Sequence, residues 1–177
     1  VEVDSQRSTG LYFVSFEGKK HNLTYYRKGS AASAASIDTI TEQQVLNTKL
    51  IHLSGISLGM SVSAAEAGSK LIELGKQHKR IISFDVNYRP AQWNNRKHAG
   101  ATIQWAIGRG PDVLEITDDE MIALGWGTDP EKLKSMFPDV RIILFKQGKA
   151  GATIITEQES IRVNQCPVDV ADTVGAG

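Results

Sequence analysis

From Leu50 onward, short apolar runs alternate with segments of helical period, and that alternation decides the class of fold. Leu50 to Leu53, Arg80 to Phe84, Val113 to Ile116 and Ile142 to Phe145 read as strands, followed by runs near Ala152 to Ile155 and Ile161 to Val163. Ser61 to His78, Asn95 to Gly108, Asp118 to Leu124 and Pro130 to Met136 read as helices. Strands that alternate with helices form right-handed crossover units, which lay the strands parallel. The pattern therefore predicts an α/β fold with a mostly parallel sheet. In such sheets ligand-binding residues lie beyond the carboxyl ends of the strands. Asp85 to Trp93, Thr117 to Glu120 and Lys146 to Gly151 all follow strands directly.

The first residues have a different texture. Thr9 to Phe16 and His21 to Tyr26 are rich in strand formers and flank the turn Glu17-Gly-Lys-Lys20, which predicts a hairpin. Gly29 to Ser36 is small and polar and reads as a loop, and Thr41 to Gln44 matches a capping box that opens a short helix. The division expected from this is 1–36 for the hairpin and its return loop, and 37–177 for the α/β core.

Lys plus Arg equals Asp plus Glu at 20 each, so the chain lacks the basic excess of a nucleic-acid binder. An anionic ligand must then be held by a local set of donors. No apolar run approaches membrane-spanning length. The one cysteine, Cys166, has no partner for an internal disulfide, which fits a reducing, cytoplasmic setting. The chain opens on Val1 and stops inside a glycine loop, as expected of a segment of a longer protein.

That loop, Asp172-Thr-Val-Gly-Ala-Gly177, would present several backbone N–H groups to one point, and a helix dipole behind it would add to their field. Such a nest suits an anion or the charge of a transferring phosphoryl group. Gly55-Ile-Ser57-Leu-Gly59 matches the nucleophile-elbow pattern of hydrolases. Only His78 and His98 follow it, both in predicted helices and poorly placed to reach the hydroxyl, so a tight strand-to-helix turn is the better reading. The glycine signatures of dinucleotide and Walker-type sites are absent, as are paired cysteines and His-Glu-x-x-His. Period-two alternation puts Tyr25 and Arg27 on one face of their strand, where a guanidinium fork and a phenol suit a carboxylate; the bland alternative is an exposed strand with a solvated charge. Pro90 biases Arg89 toward extended backbone, which would project it above the sheet; here the bland alternative is an Asp85–Arg89 surface pair. Tyr26, Trp93 and Cys166 receive no role.

Taken together, Thr9-Gly-Leu-Tyr12-Phe, Tyr25-Tyr-Arg27-Lys-Gly-Ser-Ala, His52-Leu-Ser-Gly-Ile, Asp85-Val-Asn-Tyr-Arg89-Pro, Lys146-Gln-Gly148-Lys-Ala-Gly151 and Asp172-Thr-Val-Gly-Ala-Gly177 resemble the ribokinase, or PfkB-type, family of carbohydrate kinases. They run along nearly the whole chain in the family's order, and within the family they are most similar to the 2-keto-3-deoxygluconate kinases. The 5-dehydro-2-deoxygluconokinases and the fructokinase-like members are the neighbouring alternatives. A truncated, non-catalytic sugar-acid binder is the alternative of a different class.

The resemblance implies a three-layer α/β/α sandwich with a small β lid, and ATP-dependent phosphorylation of a sugar acid with Mg2+, with a monovalent cation as a further candidate. It implies that Tyr12, Tyr25, Arg27 and Arg89 hold the acid, that Thr117, Lys146 and Gly148 lie at the nucleotide, and that Glu120 organises magnesium through water. Thr117 stands where the family carries Asn, and its hydroxyl has a shorter reach. Gly175, Ala176 and Gly177 match the family's anion hole, and the catalytic Asp is expected directly after Gly177, so the segment alone is expected to be inactive. The hairpin is expected to close over the sugar and to join a second subunit in a homo-oligomer.

Overall fold

The computed structural model describes residues 3–18 and 20–168. The glycine loop at 175–177 therefore lies outside the described residues. Strands β1 (Leu11–Glu17) and β2 (Lys20–Tyr26) pair antiparallel as a separate two-stranded sheet. A 3-10 turn, Ala31–Ala34, interrupts the expected loop. The short helix α1 (Glu42–Leu46) begins as predicted: Thr41 accepts from Gln44 N–H, and the Gln44 side chain accepts from Thr41 N–H.

The core then alternates as the periodicity requires. In chain order come β3 (Leu50–Ser54), α2 (Gly55–Leu58), α3 (Val62–Gln77), β4 (Ile81–Asp85), α4 (Arg96–Ile107) and β5 (Val113–Thr117). They are followed by α5 (Asp118–Leu124), α6 (Glu131–Met136), β6 (Ile142–Lys146), β7 (Ala152–Ile155) and β8 (Ser160–Val163). Side-chain caps from Ser61 and Asn95 start α3 and α4, each satisfying a backbone N–H left orphaned in the first turn.

The sheet runs β3-β4-β5-β6-β7-β8. Its first four strands are parallel, while β7 and β8 are antiparallel. The linkers before β7 and β8 hold only a few residues, and a parallel return needs a crossover of a dozen or more.

Alternation sorts the strands into two faces. Ile51, Leu53, Ile82, Phe84, Leu114, Ile116, Ile143 and Phe145 all point to one face and form a single core cluster with the helices. The other face carries Leu50 and Ile81, each 48% exposed, and the exposed Ile142, Ile161 and Val163. Of the expected three layers, the described residues thus build the sheet and one helical layer. The same open face holds Ser54, Asp85, Glu115, Thr117 and Lys146, clustered at the carboxyl ends of the parallel strands. No helix among the described residues is long and apolar enough to cross a membrane.

Candidate active site

Two cavities flank the segment that follows β4. The larger, about 860 Å3, opens beyond the carboxyl ends of β4, β5 and β6 and is lined by Asp85, Arg89, Glu115, Glu120, Lys146 and Gly148 among others. The smaller, about 480 Å3, lies between the end of the hairpin and helices α2 to α4, with Tyr25, Arg27, Gln92, Trp93 and His98 in its wall.

In the larger cavity, Lys146 sits on an adjacent strand to Glu115, and its Nζ donates to Glu115 Oε1 at 2.5 Å. Asp85 and Glu115 are register partners on β4 and β5 and so stand side by side on the open face. Burial raises the Asp85 carboxyl above the ordinary carboxylate range; the charges of Glu115 and Glu120 raise it further, against the smaller opposing effects of Lys146 and His52.

Glu120 is buried, and both of its oxygens are engaged. Oε1 accepts from Tyr88 N–H at 2.8 Å and Oε2 from Thr117 N–H at 3.0 Å. The Thr117 hydroxyl accepts from Glu120 N–H at 3.1 Å, which closes a second capping box at the start of α5. Sequence reading placed Thr117 and Glu120 at the nucleotide and the metal; the structure shows them first as the latch between β5, α5 and the post-β4 segment. Each Glu120 oxygen keeps a further lone pair.

Arg89 has extended backbone, as Pro90 predicts. Its Nη1 donates to Tyr88 C=O at 3.2 Å and lies 3.7 Å from Glu120 Oε1, so its carboxylate neighbour is Glu120 and not Asp85. Asn87 sits at φ 38°, a left-handed conformation that Asn tolerates better than most residues, and its Nδ2 donates to Ser54 Oγ. Gly148 opens a 3-10 turn, Gly148–Ala150, that follows Lys146 at the rim.

At the hairpin, Tyr12 and Tyr25 are cross-strand partners with ring centroids 6.3 Å apart. The Arg27 guanidinium lies 5.1 Å above the Tyr25 ring, within cation–π range. Tyr25 and Arg27 face the smaller cavity, whereas Arg89 faces the larger one. The four residues expected to clamp one acid are thus divided, with 89–92 as the partition.

The Gly-x-Ser-x-Gly pattern has a packing explanation. A Cβ on Gly55 would lie 2.1 Å from Val86 C=O, and one on Gly59 would lie 2.8 Å from the Trp93 ring. His78 pairs with Glu42 and His98 packs on Trp93, so neither serves Ser57. Asp85, Glu115, Gln92 and Trp93 line the cavities but were given no role by sequence reading. For the two acids, their position at the carboxyl ends of predicted parallel strands was the available signal; for Gln92 and Trp93 there was none.

A family model described as pfkB family carbohydrate kinase matches residues 1–177. The chain is 34% identical over its full length to a 2-dehydro-3-deoxygluconokinase of Thermoproteus tenax, of which it covers 55%. It is 30% identical over 98% of its length to a 5-dehydro-2-deoxygluconokinase of Clostridium botulinum (strain Eklund 17B / Type B), of which it covers 53%. The chain thus spans about half the length of these curated relatives. In fold it is similar to the crystal structure of a fructokinase with bound ATP from Xylella fastidiosa, with a TM-score of 0.85 at 20% identity over 96% of this chain and 53% of that one.

Proposed function

The chain belongs to the pfkB family of carbohydrate kinases, and from that premise we propose that the whole protein phosphorylates a sugar acid with ATP, with 2-keto-3-deoxygluconate as the acceptor. The observation that carries the acid is Arg27, held over Tyr25 at the wall of a cavity that no Asp or Glu lines among the described residues. A carboxylate entering there meets a guanidinium fork and no repelling charge. Both deoxygluconate kinases among the relatives are named for acidic sugars, which supports the same class of acceptor.

The larger cavity is the proposed place of the nucleotide. Lys146 Nζ, the Thr117 hydroxyl and the Gly148 turn are donors suited to phosphate oxygens. No group of three or more His, Cys, Asp or Glu side chains is gathered for a metal among the described residues, so magnesium would rely on phosphate oxygens and on the remaining lone pairs of Glu120. ATP would supply the phosphoryl group. Arg89 stands on the partition, near both ligands. Gly175, Ala176 and Gly177 would present N–H donors to the transferring group, and the Asp expected after them would take the proton of the sugar hydroxyl.

The hairpin is the proposed lid. Its Tyr12–Tyr25 face would cover the sugar and exclude water, while Leu11, Phe13 and Tyr26 on the opposite face stay exposed and would meet a second subunit.

Arg27→Ala in the whole protein tests the reading. The KM for 2-keto-3-deoxygluconate should rise about tenfold or more, since a hydrogen bond to a charged group contributes roughly 1.5–3 kcal/mol, while the KM for ATP stays within about twofold. An equal fall in kcat/KM for fructose, which has no carboxylate, would overturn the acid clamp.

A further inference from the structure

The turn after β4 holds a strained residue beside the larger cavity. Among the described residues Lys79 and Asn87 are the two non-glycine positions with positive φ, and of these Asn87, at 38°, lines that cavity together with Asp85 and Arg89. A left-handed backbone is unfavourable for any residue with a Cβ, least so for Asn, and it persists only where the surroundings over-determine it.

The surroundings do so from both sides. Val86 N–H donates to Glu115 C=O at 2.9 Å, and Val86 C=O lies so close to Gly55 that a Cβ there has no room. Asn87 Nδ2 donates to Ser54 Oγ at 3.1 Å, which ties the turn to the end of β3. Tyr88 N–H is held by Glu120 Oε1, and Tyr88 C=O accepts from Arg89 Nη1. The Arg89 guanidinium therefore takes its direction from the peptide units on either side of Tyr88, and the turn at Asn87 orients them. Ser54 stands at the N-cap of α2 but its side chain makes no cap bond, so its hydroxyl is available to Asn87.

Glycine at 87 would adopt the turn without strain, yet it could not hold the turn against β3. We infer that Asn87 is a positioning residue, and that its tether to Ser54 fixes the Arg89 guanidinium where the acid and the nucleotide meet. The left-handed backbone sets the turn, and the carboxamide stops it from moving. This inference rests on the sugar-acid kinase reading and adds Asn87 and Ser54 to the residues that serve its site.

The test uses the whole protein. By calorimetry with ADP present, Asn87→Gly and Ser54→Ala should each weaken 2-keto-3-deoxygluconate about three- to tenfold, the range of one lost hydrogen bond between neutral groups. With Arg89→Ala already in place, Asn87→Gly should change the affinity by less than about twofold, because the side chain it orients is gone. A merely structural role would weaken both backgrounds alike, or would lower Tm and leave the affinity untouched. Equal losses with and without Arg89, or unmodified affinity for the keto acid in both Asn87→Gly and Ser54→Ala, overturn this inference and leave the kinase reading standing. Failure of the unmodified protein to bind the keto acid while it binds ADP overturns the sugar-acid reading and this inference together.

Discussion

The Tyr88 backbone N–H donates to Glu120 Oε1 across 2.8 Å, joining residues 32 apart in sequence. The Glu120 carboxylate also accepts from Thr117 N–H, so one buried side chain ties the post-β4 segment to the start of α5.

Glu120→Gln should therefore destabilise the protein, although the shape is kept. A carboxamide offers one acceptor oxygen, and its NH2 would face a backbone N–H. The expected loss is about 1–3 kcal/mol, the usual penalty of an unmatched buried donor. Urea unfolding measures it, and a change below about 0.5 kcal/mol would show that the latch carries no weight.

Asp85 gives a prediction with a pH sign. Its carboxyl is held above the ordinary carboxylate range by burial and by Glu115 and Glu120, so the folded state binds this proton more tightly than the unfolded chain does. Its ionisation therefore weakens the fold as pH rises through the folded value. Asp85→Asn should raise stability at pH 7, and the gain should shrink as pH falls toward about 4, where the unfolded carboxyl also holds its proton. Denaturation midpoints at the two pH values check this; an equal gain at both would remove the charge explanation.

Two glycines make opposite predictions. Gly55→Ala puts a Cβ 2.1 Å from Val86 C=O, a backbone atom that moves only if the Asp85–Arg89 segment moves. It should cost about 3 kcal/mol or more. Gly100 lies within α4 with nothing near its would-be Cβ, so Gly100→Ala should stabilise by roughly 0.5–1 kcal/mol through helix propensity. Thermal melts of both variants read the contrast.

Glu115→Gln should release Lys146 for an incoming phosphate and remove a like charge from its path. The pair is about a third exposed on each side, so its hold is modest. Nucleotide affinity should rise about two- to fivefold, the equivalent of roughly 0.4–1 kcal/mol, in calorimetry of ADP binding. A weaker Kd would mean that Glu115 positions Lys146 for the phosphate and does not compete with it.

Most of the architecture was legible because its causes are local. Apolar period, the Thr41 and Ser61 caps and the extended bias before Pro90 each act within a few residues, and the helices and strands follow them closely. Helix α2 was not legible as one: four residues are too short for a period, and its glycines answer to Val86 and Trp93, far along the chain. Strand alternation put Tyr25 and Arg27 on one face, and the two side chains meet although Arg27 lies one residue past the end of β2.

The α/β class, the order of elements and the row of polar residues beyond the strand ends are all legible in the chain before it folds. Tertiary structure alone decided that Arg89 lies against Glu120, that Lys146 meets Glu115, and that Arg89 and Arg27 open on different cavities. The reason is that hydrophobic period and capping are written in neighbouring residues. The partner of a charged side chain is set by strand register and by which segments the folded core brings together, over separations that no local pattern spans.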